Sequence, residues 1–316
     1  MTRDSKSGHS PRPLTRRSLL HGIGAGLTLA PLGALAGCGS ADVSQGAAGA
    51  GGAGGAGGAG GAGGAGGADG NGGGGGTAAG EWASGGTASM AGDYPDPFAD
   101  GVGAACALTC AMTLGPCYAQ TIERKDISEG YPGLPVRLAL LVVDETCSPI
   151  DGATVDIWHT RNAGLYSGDD SVEMCTNDDE DALSHRYFRG VQPTDAKGRV
   201  DFDTCYPGWY SGRAVHIHFT VRVGGEEYVT SQLFFPEELT AEICESHPDY
   251  AEFGQPDTTN SNDTIYGGEE YVVSTEKQPD GSLLAWKTLV VRSSLTDELC
   301  STGGMGGPPG GGPPGG

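Results

Sequence analysis

The strongest constraint on the fold is the alternation of apolar and polar residues in the stretch AVHIHFTVRV, which ends at Val223. Successive side chains of a β-strand point to opposite faces, so the alternation predicts a strand with one apolar face. That face would carry Val215, Ile217, Phe219, Val221 and Val223. The opposite face would carry Thr220, Arg222 and two histidines, His216 and His218, whose imidazoles would lie about 6.6 Å apart along the strand.

Two histidines on one strand face are either a metal-binding pair or outward polar residues that alternation alone produces. Tyr210 favours the metal pair, because it precedes His216 across the turn-rich segment YPGWYSGR, which can fold the phenol back over the histidines. A phenol with a pKa near ~10 must lose its proton to bind a metal, and a hard, highly charged cation enforces that loss. A set of tyrosine and histidine therefore indicates ferric iron rather than zinc.

Composition limits the folded part of the 316 residues to one domain, predicted over residues 93–302. Both ends of the chain are low-complexity sequence without side chains that could form a core. The net charge of −22 argues against nucleic acid and against an anionic membrane surface as partners, because each requires a basic patch. The sequence leaves the oligomeric state open.

The first 38 residues are interpreted as an export signal. The segment LTRRSLL resembles a twin-arginine signal, and a short apolar run follows it. The run ends in the residues LAGC, which resemble a bacterial lipobox with Cys38 as the lipidated residue; the alternative is an incidental thiol. We expect an exported protein of the cell envelope that contacts the membrane only through a lipid anchor at Cys38. Without that anchor the protein would be periplasmic or extracellular.

Residues 39–92 are predicted to form a flexible linker, since they consist mostly of GGA repeats with no side chain large enough to bury. A flexible Gly-rich coil of this length has a root-mean-square reach of roughly 35–40 Å. A packed glycine-rich repeat is the alternative. Residues 303–316, rich in Gly and Pro, are predicted to be a disordered tail.

Cysteine usage favours disulfides. Apart from Cys38, eight of the nine cysteines lie in the predicted domain, an even number in an exported protein. Their spacing does not show which cysteines pair, and none has the paired CxxC spacing of a zinc site.

The domain itself reads as short strands separated by turns. Strands are predicted in LPVRLALLVVD, GATVDIWHT, GRVDFDT, AVHIHFTVRV, QLFF, EYVVS and LLAWKTLVV. Only PEELTAEICES, which begins at Pro236, is predicted to be helical. The fold class is therefore mostly β, a β-sandwich with one or two short helices.

The order of motifs in this domain resembles the intradiol ring-cleavage dioxygenases, in their short exported branch. The resemblance rests on GLPVRLALLVVDETCSPIDGATVDIWHTRNAGLYSG, then FRGVQPTDAKGRVDFDTCYPGWYSGRAVHIHF, then TSQLFF, and it covers roughly residues 106–291. It implies a β-sandwich with non-haem Fe(III), and the implied ligands are Tyr166, Tyr210, His216 and His218.

The resemblance also implies roles in catalysis. Fe(III) would activate a catechol toward O2, and the ring would open to a muconate-type dicarboxylate. Tyr210 would leave the iron and take up a phenolic proton, Arg213 would stabilise developing negative charge, and Gln232 would lie near the oxygen chemistry. The alternatives are an ordinary surface arginine at Arg213 and a solvent-facing strand residue at Gln232. Trp158 and His159 are interpreted mainly as packing residues.

The sequence departs from the family pattern at CALTCAMTLGPCY, where relatives often read CxLTPExTEGPYY. Cys110, Leu114 and Cys117 are the altered positions in a segment that lines the pocket of relatives. Cys106 and Cys147 match cysteines of the exported branch, which implies one disulfide between them. The acidic run DDSVEMCTNDDED is interpreted as an inserted, solvated loop rather than a calcium site.

Two other functions fit the sequence. One is a non-catalytic module that keeps the sandwich and binds a metal or another ligand without turnover, as the altered CALTCAMTLGPCY segment allows. The other is an enzyme that uses zinc or copper on the His-x-His strand, which the two tyrosines argue against.

Overall fold

A computed structural model describes residues 81–102 and 106–302. The predicted signal segment with Cys38, the predicted linker up to residue 80 and the predicted tail 303–316 lie outside the described residues. Within the part of the chain that the structure describes, no helix is long and apolar enough to cross a membrane.

The last twelve residues of the predicted linker, residues 81–92, pack against the domain. The backbone N–H of Ala83 donates to Gly281 O at 2.9 Å, and the buried His247 side chain bonds Ala83 O at 2.8 Å. Trp82 donates its indole N–H to Glu242 at 2.8 Å, and a 3₁₀ turn follows at Gly86–Ser89. The folded domain therefore includes residues 81–92, because Trp82 and Ala83 give this stretch side chains and backbone groups that bond the domain.

Eight strands and three α-helices form the described chain, together with 3₁₀ turns. The strands are β1 (Pro135–Asp144), β2 (Thr154–Trp158), β3 (Arg189–Pro193), β4 (Arg199–Cys205), β5 (His216–Val223), β6 (Glu226–Phe234), β7 (Ser274–Lys277) and β8 (Leu283–Val291). The helices are α1 (Glu173–Thr176), α2 (Glu180–Ser184) and α3 (Glu237–Ser246).

The strands form two four-stranded sheets, so the predicted β-sandwich is confirmed. The first sheet has the order β4-β1-β8-β7, and the second has the order β3-β2-β5-β6. Neighbouring strands are antiparallel except β1 and β8, which are parallel. The inward faces of both sheets contribute to one apolar core, which includes Leu138, Leu140 and Phe202 of the first sheet and Ile217 and Phe219 of the second.

The alternation in β5 separates the core face from the site face as predicted. Val215, Ile217, Phe219 and Val221 are at most 4% exposed and lie in the core cluster. The opposite face is covered too, since His216 is 3% and His218 is 2% exposed. The two histidines are therefore not the outward polar residues of a half-buried strand.

Several local predictions need correction. The helix predicted from Pro236 is α3, but α1 lies inside the acidic run interpreted as a loop, and α2 begins at its end. Its carboxylates form ion pairs: Arg186 contacts Asp169 and Asp170, and Arg161 contacts Asp179 and Asp181.

Cysteine pairing gives three disulfides in the described residues. Cys106 is bonded to Cys147, the pair that the resemblance implied, and the other two bonds are Cys110–Cys300 and Cys117–Cys175. Cys205 and Cys244 are buried and unpaired, so the even number of cysteines did not mean that every one is oxidised.

Candidate metal centre

β5 places His216 and His218 on the outer face of the second sheet, where neighbouring strands flank them. His218 lies opposite Trp158 of β2 on one side and opposite Gln232 of β6 on the other. The indole of Trp158 stacks on the His218 imidazole with ring centroids 5.0 Å apart and planes 9° apart. Trp158 is thus a packing residue, as predicted, and the residue it packs against is the candidate ligand His218. The stacking restricts the rotation of the His218 imidazole.

Tyr210 reaches the histidines because the chain turns sharply before β5. The Arg213 N–H donates to Tyr210 O at 3.3 Å, and the phenol oxygen of Tyr210 lies 3.3 Å from His216 Nε2. The turn-rich segment therefore folds the phenol back over the histidine face, as its sequence predicted.

Tyr166 comes from the connection after β2 and approaches the same point. Its backbone N–H donates to Cys175 O at 2.9 Å, and its phenol oxygen lies 3.2 Å from His216 Nε2. Gly164 has φ +74°, and a Cβ there would stand 2.2 Å from the backbone oxygen of Trp209. Only glycine fits at this close contact between residues 164 and 209, which brings the Tyr166 and Tyr210 segments together.

Four donor atoms converge at the centre. His216 Nε2 lies 3.1 Å from His218 Nε2, in addition to its distances of 3.2 and 3.3 Å to the two phenol oxygens. Ligand bonds of about 2.0–2.2 Å to one ion place neighbouring donors about 3 Å apart, so these separations fit a single metal ion. His216 Nδ1 lies 2.6 Å from Ala214 O, which can only accept, so Nδ1 carries the proton and Nε2 presents its lone pair.

Burial controls the protonation of all four side chains. Desolvation lowers the pKa of His216 and His218 well below the ordinary histidine value, and the charge of Arg213 lowers both further. Desolvation also raises the pKa of the Tyr166 and Tyr210 phenols. The imidazoles are therefore neutral and ready to bind a metal, whereas the phenols give up their protons only to a strong cationic charge.

The predicted residue Arg213 lies beside the centre and is fixed by two partners. Its Nε donates to both carboxylate oxygens of Asp263, at 3.1 and 2.9 Å, and its Nη2 donates to Gln232 Oε1. Gln232 in turn donates to Thr113 O at 3.0 Å and is fully buried. Neither residue fits the alternative first considered for it, a free surface arginine or a solvent-facing glutamine.

Two residues of this environment were missed from the sequence. Asp263 has a fully buried side chain, and it also accepts the backbone N–H of Ala214 at 2.9 Å. Arg189 is fully buried under the Tyr166 ring, with its guanidinium carbon 5.8 Å from the ring centroid. No sequence motif marked Asp263, but Arg189 stands in the FRGVQP stretch, where a charged residue next to apolar ones could have indicated a buried role.

Gly115 of the altered CALTCAMTLGPCY segment lies against the centre. It has φ +75°, and a Cβ there would be 3.1 Å from His218 Cε1. Since a larger residue would press on the imidazole, glycine at this position permits the segment to cover His218 closely.

Other polar clusters do not compete with this centre. The described residues contain no group of three or more His, Cys, Asp or Glu side chains placed to hold a metal ion. The candidate centre depends on tyrosine donors, which such groups do not include. His159, interpreted as a packing residue, is buried with its ring nitrogens bonded to Thr160 O and Thr204 Oγ1.

The fold and site together define a β-sandwich protein with a buried centre of two tyrosines and two histidines, suited to one hard metal cation.

Comparison with known proteins agrees with this class. The dioxygenase family model matches residues 113–248. The chain is 29% identical over 119 residues to a chlorocatechol 1,2-dioxygenase of Pseudomonas putida, covering 32% of this chain and 42% of that protein. A second chlorocatechol 1,2-dioxygenase, from Pseudomonas sp. (strain P51), is 27% identical over 106 residues, covering 28% of this chain and 38% of that protein.

A solved structure extends the similarity over a whole relative. The intradiol ring-cleavage dioxygenase from Tetranychus urticae is 29% identical, with a TM-score of 0.54, and the match covers 61% of this chain and 98% of that chain. By contrast, the chain spans about two fifths of the length of the curated relatives it matches. The family model and this solved structure agree with the resemblance to the intradiol ring-cleavage dioxygenases that the sequence motifs indicate.

Proposed function

We propose that this protein is a non-haem Fe(III) dioxygenase that cleaves a catechol-type ring with O2 to a muconate-type dicarboxylate. The observation that carries the proposal is the convergence of the Tyr166, Tyr210, His216 and His218 donor atoms at one buried point beside Arg213. Two phenol oxygens favour ferric iron over zinc or copper. When bound there, ferric iron supplies Lewis-acid activation of both catechol oxygens and the electronic route to O2.

The two tyrosines have different surroundings, which suggests different roles. Tyr166 is 2% exposed and its phenol lies over Arg189, whereas Tyr210 is half-buried on a turn at the edge of the centre. We assign Tyr166 as the permanent ligand and Tyr210 as the group whose phenol oxygen receives a proton from the entering catechol.

Arg213 provides a fixed positive charge without binding the metal. Asp263 and Gln232 hold the guanidinium from two sides, so it is oriented before substrate enters. A preorganised cation in a site shielded from water stabilises negative charge that develops on the ring. Both polar ends of the Gln232 amide are bonded, to Arg213 and to Thr113, so we assign Gln232 first as a positioning residue; its part in the oxygen chemistry stays a prediction.

We also propose that the protein acts outside the cytoplasm, anchored through a lipidated Cys38. The three disulfides of the described domain support an oxidising compartment. The sequence of the first 38 residues is the other support.

Metal content and colour test the proposed centre. The purified protein should hold about one ferric iron per chain and show a visible tyrosinate-to-iron band, and Tyr166→Phe or His216→Ala should lose iron or colour. Tyr118→Phe is the matched control. Tyr118 packs in the same apolar cluster as Tyr166, but its hydroxyl donates to Asp156 at 3.0 Å instead of pointing to the candidate centre. Unchanged iron and spectrum in both ligand variants would remove the assignment.

A panel of catechols separates turnover from binding. Oxygen uptake with formation of a muconate-type product is the expected result for the iron-loaded protein. A coloured protein that consumes no catechol in a broad panel would instead favour the non-catalytic binding module.

A further inference from the structure

Residues 110–117, here called the crossing segment, pass over the outer face of the second sheet. At β6, the N–H of Met112 donates to Thr230 O at 3.0 Å and Thr113 O accepts from Gln232. Over β5, Gly115 lies against His218. At β3, Cys117 O accepts from the Arg189 guanidinium at 2.8 Å. The crossing segment therefore covers the strand that carries the candidate ligands.

Each end of the crossing segment is a cysteine in a disulfide. Cys110 is bonded to Cys300, and Cys117 is bonded to Cys175. The Cys175 carbonyl accepts a hydrogen bond from the backbone N–H of Tyr166 at 2.9 Å. One cysteine of this second disulfide is therefore bonded directly to the backbone of a candidate tyrosine ligand. Cys117, Cys175 and Tyr166 are also packed into one buried apolar cluster with Trp158.

We propose that the Cys117–Cys175 disulfide is a positioning element of the metal centre. It joins the segment that presses on His218 to the segment that holds Tyr166, and so it fixes two ligands from different parts of the chain at the spacing of one ion. The inference rests on the proposed metal site. It also gives a physical role to the altered Cys117, where relatives place an aromatic residue.

The magnitude follows from what remains when the disulfide is absent. Arg189 still bridges the two segments, because its guanidinium donates to Cys117 O at 2.8 Å and to Ser167 O at 2.7 Å. Ligand geometry must hold within about 0.5 Å for full affinity, and loss of a supporting partner typically lowers metal affinity about 10–100-fold. We expect a loss in that range rather than loss of the fold.

Two double variants of the full chain test the proposal. Cys117→Ser/Cys175→Ser removes the positioning disulfide, and Cys106→Ser/Cys147→Ser is the matched control. The bonded cysteines are separated by 58 and 41 residues, so the two variants free unfolded-chain loops of similar length. Cys106 lies in a separate cluster with Leu141, away from the candidate ligands.

The first readout is ferric iron affinity, measured by dialysis against ferric nitrilotriacetate. The second is hydrogen exchange of the Tyr166 amide in metal-free protein. We expect Cys117→Ser/Cys175→Ser to bind iron about 10–100-fold more weakly and to exchange the Tyr166 amide about ten-fold faster, with both values unchanged in the control. A folded Cys117→Ser/Cys175→Ser protein with wild-type affinity and wild-type protection would overturn the proposal.

Gly115→Ala decides the matter if the double variant does not fold. It keeps every disulfide but adds a methyl group 3.1 Å from His218 Cε1 at a positive φ, so the crossing segment or the imidazole must shift. Weaker iron binding supports the contact between the crossing segment and His218 that the proposal requires, and unchanged binding overturns the proposal. If the wild-type chain binds no ferric iron, the proposed function fails, while amide exchange at Tyr166 still tests the hold of the disulfide on that segment.

Discussion

Asp263 is expected to set both the stability of the domain and the orientation of Arg213, and Asp263→Asn tests this. The buried carboxylate accepts the Arg213 Nε–H, the Ala214 N–H at 2.9 Å and the Ile265 N–H at 2.8 Å. Asparagine offers one oxygen, and its NH2 group would face an N–H donor of Arg213, Ala214 or Ile265. At least one donor therefore loses its acceptor in a buried place.

The size of the effect follows from burial. Removal of one partner of a buried ion pair costs about 3–5 kcal/mol. Here the Asp263 side chain is 0% exposed, but Arg213 is 16% exposed and keeps its bond to Gln232. We therefore expect the free energy of unfolding to fall by about 2–4 kcal/mol, and a loss of about 3 kcal/mol lowers Tm by about 6–12 °C in a domain of this size.

Urea and thermal unfolding of Asp263→Asn, Arg213→Gln and the double variant measure the coupling between the two residues. The double variant should be more stable than the sum of the single losses predicts, by about 2–4 kcal/mol. Asp96→Asn is the control, because Asp96 is half-exposed in its pair with Arg199 and should lose less than about 1 kcal/mol. Additive losses, or a change below about 0.5 kcal/mol in Asp263→Asn, would refute the reasoning.

Three further predictions concern chemistry, location and pH. Arg213→Ala should lower kcat by about 10²–10³ with iron content unchanged, because the guanidinium stabilises negative charge without binding the metal. Steady-state kinetics and metal analysis measure both quantities, and a wild-type rate would contradict the prediction. Cys38→Ala should release the protein from the membrane fraction or block its processing, and a wild-type chain with residues before Cys38 intact in the cytoplasm would refute lipidation. Burial lowers the pKa of His159 from 6.5 to about 3, so the unfolded chain binds this proton first and the free energy of unfolding should fall as the pH drops from about 6.5 toward 3. His159→Asn should flatten that slope by up to about 1.4 kcal/mol per pH unit in urea unfolding, and an unchanged slope would contradict the prediction.

The long apolar strands could be predicted from sequence because their patterns are local. The run LLAWKTLVV is β8 as predicted, and LPVRLALLVVD is β1 with one residue less at its start. β1 is buried on both faces in the middle of its sheet, which a continuous apolar run reflects. Such strands carry their own evidence and need no knowledge of their neighbours.

Strands at the sheet edges were less predictable. The stretch EYVVS was predicted as a strand, but it begins as a 3₁₀ turn at Glu269–Tyr271, and β7 starts only at Ser274. Pairing with β8 decides where this edge strand forms. β3 was missed because Gly190 and Gln192 dilute its apolar pattern, although pairing with β2 forms it.

Within the candidate site, too, residues in a local pattern could be predicted from the sequence, whereas residues brought in from distant parts of the chain could not. His216 and His218 share a strand face, so their periodicity indicated a site before any resemblance was considered. Asp263 is 50 residues from Arg213 in a loop of Asn, Asp and Thr, where a carboxylate has no periodic pattern. Only the folded chain brings that carboxylate to the guanidinium, and the same holds for Cys117 and Cys175, which are separated by 58 residues.

The position of the centre outside the sandwich core gives residues 110–117 a role, because they cover it from outside the sheet. The apolar face of β5 fills the space between the sheets, so His216 and His218 must face outward, where water would compete for a metal and screen Arg213. Residues 110–117 close that face, and burial then keeps the imidazoles neutral. A segment with this task must lie close to His218, which requires glycine at Gly115, and must stay in place, which the disulfides at its two ends provide. The altered cysteines of CALTCAMTLGPCY therefore fit a site whose metal environment is built from outside the sheet.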